Sequence, residues 1–216
     1  MIYSANDLKQ FFKNVVEMIE DKKDYLSELD RKLGDGDHGV TMSIGWQAVN
    51  EQLDSDLKDE EDCTKISMAV ARTFLSAVGS SVGPLYATGL LRGAKIAGNK
   101  SELNDSDLVN YWAAFVDGVK ERGGAEVGDK TMMDTLIPFS ETLKKQFTET
   151  GEASLAFESA VEAAKQGMES TKDLLSKKGR SSRLGERSKG AIDPGAASAY
   201  LILSIFLDSI KSLQHY

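Results

Sequence analysis

The placement of glycine constrains this chain most. Of its 19 glycines, twelve fall into four clusters: Gly34, Gly36 and Gly39; Gly79 and Gly83; Gly123, Gly124 and Gly128; and Gly179, Gly185, Gly190 and Gly195. Each pair of successive clusters is separated by a stretch long enough for two helices, and the apolar residues in those stretches recur at helical spacing. Leu8, Phe11, Phe12, Val15 and Ile19 repeat at three-and-four intervals behind Ser4-x-x-Asp7, a capping box with Asp in place of Glu. Ile66, Ala69, Val70, Thr73, Phe74, Ala77 and Val78 form a second stripe, and Leu108, Trp112, Phe115 and Val119 a third. Further helices are expected at about 21–32, 39–53, 84–98, 131–149, 152–176 and 194–213. Pro84 and Pro194 would sit in first turns, where a missing N–H costs nothing. Pro138 falls inside its helix and should kink it or mark a late start. No convincing strand-type alternation is present.

In an up-and-down bundle every second loop returns to the same end. The sequence therefore predicts an all-α fold, an antiparallel up-and-down barrel or bundle of about eight amphipathic helices forming one domain over 1–216. The glycine-rich loops should gather at one end, and the polar loops near 54–62, 99–105 and 150–152 at the other. Glycine lets backbone N–H groups approach a ligand closely. Helix capping by glycine accounts well for one glycine per loop and poorly for two to four.

Charge narrows the function. The formal net charge is −8, which lacks the basic footprint of a general nucleic-acid binder. Acidity suits a protein that gathers carboxylates around divalent cations, and it also suits a solvated helical surface. A single cysteine, Cys63, at the start of a helical stripe, reads as structural and points to a reducing compartment. Met1-Ile2-Tyr3-Ser4 opens neither a basic nor an apolar leader region, and the apolar run around Leu201 to Leu207 is far short of a membrane span. A cytoplasmic protein that does not bind membranes is expected.

The loops supply the chemistry. In Gly34-Asp35-Gly36-Asp37-His38-Gly39 a turn at glycine can aim two carboxylates at one point, and Asp30 can reach the same place from the preceding helix. Three carboxylates and no thiol make a hard-oxygen site suited to Mg²⁺ or Ca²⁺. The EF-hand pattern fails, because residues 39 and 46 are Gly39 and Trp46. A sparse Mg²⁺ site completed by phosphates fits better, the alternative being a solvated turn with aspartate caps. His38, beside these acids, should favour its protonated form and could contact a phosphate. His215 carries no expected role. Gly79-Ser80-Ser81-Val82-Gly83-Pro84 places amides and hydroxyls before a helix start, where anions are favoured, although no Gly-Lys-Ser/Thr of a Walker loop occurs. The third loop ends in Thr131-x-x-Asp134, a helix cap. The fourth carries Lys177, Lys178, Arg180, Arg183, Arg187 and Lys189 against Glu186 alone, an excess that could meet phosphates or an acidic partner.

Together, Gly34-Asp35-Gly36-Asp37-His38-Gly39, Gly83-Pro84-Leu85-Tyr86, Gly128-Asp129-Lys130-Thr131-Met132, Gly185-Glu186-Arg187-Ser188 and Asp193-Pro194-Gly195 resemble the dihydroxyacetone kinase L family, in order and across most of the chain. The resemblance implies an eight-helix barrel with ADP and two Mg²⁺ ions at one end. By position, Asp30, Asp35 and Asp37 would be the metal ligands. His38 and Thr41, with Ser80 and Ser81, would surround the phosphates. Arg180 and the turn Asp193-Pro194-Gly195 would border the nucleotide, with Gly123, Thr131 and Met132 on its adenosine side. Relatives often carry Asn where this chain has Thr41, so altered contacts with retained binding are expected.

The family contains two mechanisms. One is a two-domain kinase that uses ATP as an exchangeable substrate. In the other, a separate subunit keeps ADP as a coenzyme, a phosphohistidine on a phosphotransferase-system partner phosphorylates that ADP, and the phosphoryl group passes to dihydroxyacetone held by a second, K subunit. No second domain follows within these residues, which favours the separate-subunit version. A competing reading is a nucleotide-sensing regulatory module.

Overall fold

A capping box at Ser4 starts the first helix: its hydroxyl accepts from the Asp7 N–H at 3.2 Å, and Asp7 accepts from the Ser4 N–H at 2.8 Å. In the computed structural model, which describes residues 1–215, that helix, α1, runs unbroken over Ala5–Leu33. The side chain of His215 lies outside the described residues. The separate helix expected at 21–32 is the second half of α1. Neither Gly nor Pro interrupts the chain there, and Leu26, Leu29 and Leu33 continue the buried stripe that ends the sequence-level repeat at Ile19. The charged stretch Asp21-Lys22-Lys23-Asp24 is one turn of the same helix, exposed at Asp21 and Asp24 and half-buried at Lys22 and Lys23.

The other helices are α2 (His38–Asp54), α3 (Cys63–Ala77), α4 (Val82–Ala97), α5 (Asp105–Gly123), α6 (Met133–Thr150), α7 (Ala153–Ser170) and α8 (Pro194–Ser212). Each packs on its neighbours in the chain, and α8 closes back on α1, so the antiparallel bundle forms a ring. Its interior is filled by interlocking aromatic rings. Phe206 of α8 meets Tyr3, Phe11, Trp112 and Phe157 at centroid separations of 5.5, 5.3, 4.9 and 5.1 Å. Pro84 and Pro194 lie in first turns as expected. α6 continues through Pro138. The Asp134 carbonyl, deprived of the N–H that residue 138 would have donated, faces Gly167 of α7, where a Cβ would lie only 1.9 Å from that oxygen.

Two elements escape the periodicity. β1 (Ile2–Ser4) pairs antiparallel with β2 (Glu102–Asn104), Tyr3 opposite Leu103, both buried. Three residues are too short to show alternation. This small sheet lies at the end where α1 and α5 begin. The second departure is the segment between α7 and α8, which forms short 3₁₀ turns at Thr171–Asp173 and Arg180–Ser188, the latter broken at Gly185.

Candidate functional site

The alternation of helices brings all four glycine-rich loops to the end where α2, α4, α6 and α8 begin. There they enclose an open cleft of about 830 Å³. Every residue expected to contact a metal or nucleotide lines it: Asp30, Asp35, Asp37, His38 and Thr41 from the first loop, Ser80 and Ser81 from the second, Gly123, Thr131 and Met132 from the third, and Arg180 with Asp193, Pro194 and Gly195 from the fourth.

The three aspartates share this cleft but are engaged differently. Asp30, at the end of α1, accepts the backbone N–H groups of Asp37 and His38 at 2.9 and 3.1 Å, and so caps α2 from outside it. Asp35 forms an ion pair with Arg180, joining the first loop to the fourth. Asp37, exposed, makes no side-chain cap to its own helix. Among the described residues no three His, Cys, Asp or Glu side chains are gathered into a preformed metal cage. Asp30 and Asp35 are instead engaged by backbone N–H groups and a guanidinium. The donor set is all oxygen, which suits Mg²⁺ and not a thiophilic metal.

His38 departs from expectation. Burial holds its ring well below the usual range, at about 4, and the nearby Asp30 charge only partly offsets this. Its Nε2 lies 3.0 Å from the Ser198 hydroxyl, which is also 3.3 Å from the Tyr86 hydroxyl, so a neutral ring joins α2 to α8 and α4. Packing beneath α8, invisible in the sequence, outweighs the carboxylates beside it.

Ser81, which precedes α4, gives that helix no side-chain cap, whereas at the start of α6 the Thr131 hydroxyl accepts from the Met133 N–H at 3.1 Å. Thr131-x-x-Asp134 does form: the buried Asp134 carboxylate accepts from Thr131 N–H at 2.8 Å and also from Gly128 N–H at 2.6 Å, with Gly128 at φ +95°. Asp193 caps α8 through the Ala196 N–H at 2.8 Å. Burial raises its carboxyl to about 7, against the pull of that N–H and of the Lys130 charge. Not every loop glycine serves a ligand. Gly39 lets α2 lie on α1, since a Cβ there would fall 1.9 Å from the Lys23 carbonyl oxygen.

Some lining residues were not anticipated. Leu33, Leu85 and Val119 make an apolar wall, and Arg122 adds a cation at the end of α5. A cation directly before Gly123-Gly124 was a readable signal. Lys130 is the largest omission: it is buried, and its Nζ donates to the carbonyls of Thr171 at 2.5 Å and Ala191 at 2.6 Å.

Residues 32–208 match the DAK2 domain family. The chain belongs to that family. Among its relatives, a protein of Listeria innocua serovar 6a named PEP-dependent dihydroxyacetone kinase 2, ADP-binding subunit DhaL, is 38% identical over 93% of this chain and 94% of its own length. The similarly named Escherichia coli K12 protein is 34% identical over 98% of this chain and 100% of its own. The DAK2 fold is seen in the crystal structure of the dihydroxyacetone kinase of C. freundii, with a TM-score of 0.73 at 24% identity over 96% of this chain and 35% of that one. The same kinase, solved in complex with AMP-PNP and Mg²⁺, gives a TM-score of 0.71 at 22% identity over 93% of this chain and 33% of that one. No helix among the described residues is long and apolar enough to cross a membrane.

Proposed function

We propose that this chain, as one nucleotide-binding domain over 1–216, is the ADP- and Mg²⁺-binding subunit of a phosphoenolpyruvate-dependent dihydroxyacetone kinase. One observation carries the reading: a single cleft, walled by helix starts and carboxylates, collects every residue expected at such a site. The names of full-length relatives support it.

In this reading Asp30, Asp35 and Asp37 hold two Mg²⁺ ions, and His38, Thr41, Ser80 and Ser81 surround the phosphates. Arg180 and the turn at Asp193, Pro194 and Gly195 border the nucleotide, with Gly123, Thr131 and Met132 on its adenosine side. The bound nucleotide supplies the acceptor, and then the donor, of the phosphoryl group that moves from a partner's phosphohistidine to dihydroxyacetone on a K subunit. This chain's residues supply position and charge rather than a general base. The start of α4, which no side chain caps, favours an anion through the helix dipole. Arg180, paired to Asp35 across the mouth, is free to turn to a phosphate once a cation engages that carboxylate. His38, neutral, offers a hydrogen bond and no charge. A cytoplasmic setting fits the lone thiol of Cys63, which burial pushes up to about 11 and so keeps unreactive.

Mass analysis of protein purified without added nucleotide tests the coenzyme role: ADP should be retained. Adding the phosphotransferase proteins, phosphoenolpyruvate, a K subunit and dihydroxyacetone should then yield dihydroxyacetone phosphate, and no product would sink the kinase reading. Arg180→Ala should weaken ADP binding. Arg183, exposed and outside the cleft lining, should spare ADP on substitution to Ala and slow transfer between subunits. Equal loss of affinity in both variants would defeat that division.

A further inference from the structure

A fully buried lysine needs a reason, because an ammonium group taken out of water must find its hydrogen bonds inside. Lys130 is 1% exposed, and its backbone sits at φ +62°, a conformation that a side-chain-bearing residue adopts at a cost. Its two acceptors lie far apart in sequence and adjacent in space. Thr171 ends the helical run of α7, and Ala191 stands just before α8. They are the two ends of the basic segment that carries Arg180 near its middle.

Other bonds converge on the same seam. The Gly190 N–H donates to the Lys172 carbonyl at 2.7 Å, the Asp193 N–H to the Thr171 hydroxyl at 3.0 Å, and the Lys177 N–H to the Asp129 carbonyl at 3.1 Å. Above the seam, Arg180 reaches the cleft and pairs with Asp35.

We infer that Lys130 is a positioning residue for nucleotide binding: its ammonium clasps both ends of segment 171–191, so that Arg180 is presented to the cleft. Closing a loop of this length costs chain entropy, and the clasp meets that cost before ligand arrives. The inference rests on the reading of Arg180 as a phosphate contact. Lys130 also borders the cleft, but its ammonium is committed to these two carbonyls, so it acts by holding the segment that carries Arg180.

The test combines two readouts on the full chain. Lys130→Met keeps most of the apolar stem and removes the charge. The segment is rich in Lys and Arg, so trypsin reports its opening directly. In the absence of ADP, Lys130→Met should be cut between residues 177 and 189 at least about tenfold faster than the parent, because cleavage follows the open population. ADP binding in Mg²⁺ should weaken about tenfold in the parent background and less than about twofold in Arg180→Ala, the non-additivity expected of coupled residues. If Lys130→Met fails to fold, Thr171→Val, which removes only the hydroxyl that accepts from Asp193, should shift both readouts in the same direction by less. A segment as resistant to trypsin as the parent's would overturn the clasp. Equal weakening in both backgrounds would overturn its action through Arg180. An Arg180→Ala protein that binds ADP like the parent would overturn the site reading instead, and the trypsin arm would still judge the clasp.

Discussion

Each end of the barrel presents four helix starts, and different groups meet them. At the end remote from the cleft, α1 and α5 begin in complete capping boxes, Ser4 with Asp7 and Asn104 with Asp107, and the Asp62 carboxylate accepts two N–H groups of α3. Only α7, behind Glu152, lacks a side-chain cap there. At the cleft end, α2 is served by Asp30 from another helix, α4 has no side-chain cap, and at the start of α6 the Thr131 hydroxyl accepts from the Met133 N–H at 3.1 Å. α8 is closed by the residue just before it, Asp193. Satisfied helix starts contribute stability and offer nothing to a ligand, whereas open ones forgo stability and form an anion site. Each end leaves one start uncapped, α7 or α4, and the one at α4 opens into the cleft, so the same backbone repeat yields a structural end and a binding end.

Substitutions should separate the two. The largest effect on folding is expected in the aromatic core toward the capped end. Phe206→Ala removes the ring that four others pack against and should cost about 3–5 kcal/mol, while the folded fraction still binds ADP normally. Urea titration alongside calorimetry checks this, and a matching loss of ADP affinity would blur the distinction between the ends.

Next in size is Asp35→Ala. The exposed pair with Arg180 contributes little to stability. Magnesium-dependent ADP retention should nonetheless disappear, and with it the roughly 2.7 kcal/mol of stabilisation expected at about a hundred times Kd. Melting with and without ADP and chelator reads the outcome. A ligand-induced shift as large as the parent's would remove Asp35 from the metal site.

Smallest, and most pointed, is a matched pair of caps. Asn104→Ala should lower stability by about 1 kcal/mol and leave ADP binding alone. Ser81→Ala removes no cap and should change stability by less than about 0.5 kcal/mol, yet weaken ADP binding about tenfold. The reverse pattern would mean that the open start of α4 does not mark the binding end.

The sequence showed the barrel well and its stitching poorly. Stripes such as Leu8-Phe11-Phe12-Val15-Ile19 report a buried face directly, and glycine and aspartate clusters mark their loops without tertiary information. The strands Ile2–Ser4 and Glu102–Asn104 were illegible because their pairing joins residues about a hundred positions apart. Lys130 and Ser198 were illegible for a related reason. Lys130 is defined by carbonyls on the far side of α7, and Ser198 by a histidine on α2. The protonation of His38 was misjudged because charge neighbours can be read from the chain and burial cannot. Composition nevertheless located the cleft, since a site built from loop residues stays local in sequence even when its support does not.

Amide hydrogen exchange with and without ADP and Mg²⁺ tests the asymmetry of the two ends most directly. Protection should rise in segments 30–41, 79–86, 123–134 and 176–196, and remain unchanged at 54–62, 98–104 and 150–153. Protection at the capped end, or none at the glycine-rich loops, would contradict the assignment of binding to one end of the barrel.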